Sequence, residues 1–99
     1  MRSRGRKDSN QDEIVQALRD AGCTVYITSG VGKDFPDLVV GTTGTPPEWV
    51  TKPGTTILME IKTEDGKLSE GQRLFLEKFK GAAVVVRSVD EALIAVGKE

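Results

Sequence analysis

The chain has no histidine and one cysteine, Cys23, among its 99 residues. Without histidine there is no Ser-His-Asp or Cys-His nucleophile system and no histidine-based metal motif. A single cysteine closes no internal disulfide and, with no histidine to join it, makes no zinc site of the usual N/S type. Long apolar runs are also missing, since nothing approaches the ~20 residues that cross a bilayer. The opening "MRSRGRKDSN" lacks the apolar core of a secretion signal. A reducing, cytoplasmic setting is therefore expected. Any chemistry must rest on carboxylates, lysine, amides, backbone and a hard cation.

What is present is ordinary in amount and uneven in placement. The hydrophobic fraction is 37% and the charged fraction 29%, as in a globular domain. At this length one domain is expected, burying only about 60–65% of its unfolded surface. Net charge is −1, from 14 Lys+Arg against 15 Asp+Glu. A nucleic-acid binder is usually basic, although carboxylates clustered around a cation would lower the pI while leaving a less negative working surface. Arg2, Arg4, Arg6 and Lys7 precede every acid. Residues 1–8 thus read as a basic arm, suited to phosphate contacts or simply solvated, and residues 9–99 as one domain.

Periodicity predicts the order α-β-β-β-α-β-α. "NQDEIVQALRDAG" places Ile14, Ala17, Leu18 and Ala21 at helical spacing, with Ser9 as N-cap and Gly22 as stop. "CTVYIT", "DLVVG", "TILMEIK" and "AAVVVR" read as strands, the last of them buried. Ser69 caps a helix whose core face is Phe75, Leu76 and Phe79, and Ser88 with Glu91 makes a capping box for a last helix. "TTGTPPEWVTKPGT" reads as a long loop or flexible hairpin, with Trp49 plugging a gap or stacking on a base. The near-continuous apolar strands predict an α/β domain with a mixed four-stranded sheet flanked by helices. The piece from Thr56 to Arg87 suits a crossover between parallel strands.

Three polar residues interrupt this apolar frame. Glu60 and Lys62 alternate with Met59 and Ile61, so both project from one sheet face. Asp37 opens an apolar strand directly after Pro36, which enforces an extended entry. Were these strands neighbours, the two carboxylates would lie side by side, where like charges repel unless a cation holds them. Mg²⁺ or Mn²⁺ takes such oxygens readily. Lys62 would then orient the attacking water or take its proton, which describes a device for phosphodiester hydrolysis. Glu13 lies at the border of the first helix's apolar face, within reach of the sheet edge. Gln72 is either a capping-box partner of Ser69 or a functional group. Taken singly, Glu60 and Lys62 could be a solvated salt bridge and Asp37 a turn residue; together on adjacent strands they read as a site.

With Pro36-Asp37 as a "PD" half and Glu60-Ile61-Lys62 as an "ExK" half, the chain resembles the PD-(D/E)xK nuclease superfamily. More narrowly it is similar to the VRR-NUC (virus-type replication-repair nuclease) group. "NQDEIVQALRDAG", "FPDLVVG", "LMEIKTEDGKLSEGQ" and "VVVRSVDEAL" follow that group's order and spacing over nearly the whole chain. Phe35 departs from the group by standing where a glycine often precedes the "PD" pair. The resemblance implies a restriction-endonuclease-like core and kinship with phage-encoded stand-alone domains and Holliday-junction resolvases. It also implies that Glu13, Asp37, Glu60 and the Ile61 carbonyl bind metal, that Lys62 is the catalytic lysine, and that Gln72 touches phosphate or water.

"SGVGKD" is no phosphate-binding P-loop: Asp34 stands where Ser or Thr should hold Mg²⁺, and Ile27 where the first glycine belongs. It offers backbone N–H groups and Lys33 to a DNA phosphate instead. The expected function is a Mg²⁺- or Mn²⁺-dependent DNA endonuclease. It would act on branched or duplex DNA as a homodimer, in a phage or bacterial cytoplasm, by in-line attack of a metal-bound water. The alternatives are a non-catalytic DNA-binding module on the same fold and an RNA-directed nuclease.

Overall fold

The computed structural model describes residues 9–43 and 54–98. The basic arm with Arg2, Arg4, Arg6 and Lys7, and most of the Pro-rich loop with Trp49, lie outside the described residues. Seven elements follow in the expected order: α1 (Gln11–Asp20), β1 (Thr24–Ile27), β2 (Leu38–Thr42), β3 (Thr55–Ile61), α2 (Glu70–Lys78), β4 (Ala82–Val86) and α3 (Val89–Ala95).

The strands form one mixed sheet in the order β1-β2-β3-β4. β1 pairs antiparallel with β2, and β2 antiparallel with β3. β3 and β4 are parallel, with α2 as the crossover between them. Because side chains alternate across a strand, each strand serves two faces. One face carries Val25, Leu38, Val40, Ile57, Met59, Ile61 and Val86, which pack with Ile14, Val15 and Leu18 of α1 and Ala92 of α3. Each such Val, Leu, Ile or Met side chain contributes roughly 1.5–3 kcal/mol by leaving water. The other face carries Leu58 and Glu60 and is overlain by α2. Helices on both faces explain why the strands are apolar almost throughout.

Three local readings need correction. The N-cap of α1 is Asn10, not Ser9, and Asn10 makes no side-chain cap bond. Its amide Nδ2 instead donates to the carbonyls of Lys62 at 3.2 Å and Arg87 at 3.1 Å, fastening the helix start to the ends of β3 and β4. Second, β4 is not wholly buried: only Val86 is, because β4 is an edge strand. Third, α2 buries no residue, and Phe79 is 40% exposed. Among the described residues α2 is the one helix on its face, with no second helix to enclose it. Phe75 instead packs edge-on to Phe35 and stacks on Phe79.

Candidate active site

β2 and β3 bring the expected acids together. Leu38 pairs with Met59, so Asp37, one residue earlier, lies across from Glu60. The Ile61 backbone N–H donates to Asp37 Oδ2 at 2.8 Å, joining the strands through a side chain where the backbone ladder ends. Pro36 is fully buried just before it. Thr28 secures this entry, donating its hydroxyl to the Pro36 carbonyl at 2.8 Å and its N–H to the Asp37 carbonyl at 2.7 Å.

Glu60 is only 3% exposed, where an ionised carboxylate without partners would cost several kcal/mol. Gln72 Nε2 donates to its Oε2 at 3.0 Å, and Lys62 Nζ lies 3.9 Å from the same oxygen. The capping-box reading of Gln72 holds, and the same side chain also touches the buried acid. Its Oε1 accepts the Ser69 N–H at 2.9 Å while its own N–H donates to Ser69 Oγ, the reciprocal capping box. The other end of the amide reaches Glu60. At α3 the arrangement differs slightly: Ser88 caps the Glu91 N–H, but the Glu91 carboxylate takes the N–H of Arg87.

Behind Lys62 the chain is held by Arg87. Its guanidinium Nη1 donates to the carbonyls of Thr63 at 2.8 Å and Gly66 at 2.6 Å. In front of the site, the loop before Pro36 turns through Lys33 (φ 57°) and Asp34 (φ 65°), both in the left-handed region. Such strain in non-glycine residues gathers at functional sites. The Asp34 carboxylate rests against the first turn of α2, where any side chain at Gly71 would collide with it. Lys33 itself is exposed, at the rim of a groove shared with Lys78 and Phe79.

The model of the VRR-NUC domain matches residues 2–91 of the chain. The protein belongs to the VRR-NUC family. It is thus a nuclease-family domain, as the "PD" and "ExK" segments led one to expect. No curated protein and no solved structure matches it. Among the described residues, no helix is long and apolar enough to cross a membrane.

This VRR-NUC domain gathers Asp37, Glu60, Lys62 and Gln72, but Glu13 stays apart. Glu13 is exposed on α1, and among the described residues no three acids, cysteines or histidines stand close enough to share a metal ion. Asn10 Oδ1 and Gln11 Oε1 are buried and accept no hydrogen bond among the described residues, and Gln11 is 2% exposed. The ligand atoms that Asp37, Glu60 and the backbone carbonyls offer at this end of the sheet are all oxygen. That set fits a hard divalent cation. Gln11 drew no notice in the sequence, yet its burial is readable there: it lies three, four and seven residues before Ile14, Val15 and Leu18. It therefore belongs to the apolar stripe, where a glutamine needs a reason.

Proposed function

We propose that the chain is a Mg²⁺- or Mn²⁺-dependent DNA endonuclease, with Asp37, Glu60 and the Ile61 carbonyl holding the cation. The observation that carries this reading is the buried Glu60 carboxylate, set across from Asp37 and 3.9 Å from the Lys62 ammonium. A bound cation would lower the pKa of water and neutralise charge on the phosphate. Around it the chain's own groups divide the work. The Ile61 N–H orients Asp37, and the Gln72 amide orients Glu60. Lys62, 16% exposed at its side chain, is open to a phosphate oxygen or to the attacking water. Lys33 and the basic arm supply sequence-independent phosphate contacts.

Branched DNA is the favoured substrate, in replication, repair or recombination. A single small domain presents little surface to two strands, and a symmetric homodimer would present two sites. Light scattering should show dimers at micromolar protein; monomers alone would remove paired cutting.

The decisive experiment is nicking of supercoiled plasmid and four-way DNA with Mg²⁺, Mn²⁺ or chelator. Asp37→Asn and Lys62→Ala should each lose roughly 10²–10⁴-fold in rate, the range for a positioned catalytic group, while the fold and DNA binding persist. Wild-type protein that binds DNA but cleaves nothing in either metal would be the inert module instead.

A further inference from the structure

We infer that Gln11 supplies an uncharged ligand to the cation site, its amide oxygen standing where the acid of Glu13 was expected. This rests on the metal-dependent reading above. Gln11 is 2% exposed, and its Oε1 accepts no hydrogen bond among the described residues. A buried acceptor left without a donor costs its full desolvation. Methionine or leucine would fill the same helical position without that cost, as Ile14, Val15 and Leu18 do on the same stripe. Folding alone therefore gives no account of the residue.

Its position gives one. Asn10, the preceding residue, is bonded to the carbonyls of Lys62 and Arg87, so the first turn of α1 abuts the ends of β3 and β4. Helical side chains lean toward the helix N-terminus. Gln11 therefore leans toward the strand end that holds Ile61, Lys62 and, through the Ile61 N–H, Asp37. An amide oxygen is a hard neutral donor of the kind divalent cations accept beside carboxylates. Its consequence is electrostatic. With two carboxylates instead of three, the site balances a divalent charge without exceeding it, so the cation keeps more of its pull on phosphate and binds less tightly when DNA is absent.

Calorimetric titration of Mn²⁺ into the DNA-free full chain, with apo melting curves, tests this in wild type, Gln11→Met and Gln11→Glu. Gln11→Met should weaken Mn²⁺ binding by about tenfold or more, the lower end of the cost seen around metal sites, with no fall in the apo melting temperature. Gln11→Glu should tighten binding by about tenfold and lower the apo melting temperature. Equal Mn²⁺ affinities in all three, with wild-type cleavage intact, overturn the Gln11 assignment and leave the nuclease reading standing. A lower apo melting temperature in Gln11→Met with unchanged affinity marks a structural amide and overturns it equally. If Gln11→Met fails to fold, an untightened Gln11→Glu decides against the assignment. Absence of both Mn²⁺ binding and cleavage in wild type overturns the two readings together.

Discussion

Met59 and Glu60 are adjacent in β3 and both hidden from solvent, yet they face different surroundings. Met59 points into hydrocarbon contributed by α1, α3 and three other strands. Glu60 points toward an amide and an ammonium under a helix that buries none of its own residues. Among the described residues the first face is closed by two helices and the second is only partly roofed by one. Tight packing tolerates little rearrangement, whereas a site that must admit a phosphate and release it needs an accessible wall. The division places the packed core on one side of the sheet and the proposed site on the other.

The sharpest test of that division compares one truncation on each face. Met59→Ala should cost about 2–5 kcal/mol, as core truncations do, and Phe79→Ala, at a 40% exposed position, less than about 1 kcal/mol. Urea denaturation of both measures this, and similar losses would mean that the face under α2 is as much a core as the other. A smaller effect separates the two duties of Gln72. Gln72→Ala removes the capping box as well as the bond to Glu60, and should lower the local stability of α2 by about 1 kcal/mol in hydrogen exchange. Gln72→Glu can still cap, but sets a carboxylate beside Glu60. It should preserve α2 while slowing cleavage by about tenfold. Normal cleavage in Gln72→Glu would confine this residue to the cap.

The same division shows why some features were readable before the fold and others were not. Element order, the mixed sheet, the Ser69 cap and the convergence of Asp37 with Glu60 all follow from local patterns: strand alternation, proline geometry and cap spacing. The miscast residues depend on which surfaces meet. Phe79 lies on the apolar side of α2, but nothing in a helical stripe says how fully its neighbours will enclose it. Ser9 has the chemistry of a cap. Asn10 took the position because its amide can span to two carbonyls distant in sequence, those of Lys62 and Arg87. Glu13 drew notice as an acid near an apolar border, while Gln11, well inside that border, did not, because helix starts are commonly polar. Lys33 and Asp34 adopt a backbone usually left to glycine, and no residue type announces that.

One bond ties the geometry of the site to the way the chain must assemble. A two-residue slip, unlike a one-residue slip, leaves the inward and outward sets of a strand unchanged. Here a slipped β2–β3 pair would still bury valines and isoleucines, but the Asp37 carboxylate would meet a backbone N–H other than that of Ile61 and would no longer stand opposite Glu60. The side chain proposed to hold the cation thus also proofreads the alignment of the sheet that carries it, and collapsed but misaligned molecules would lack the proposed site.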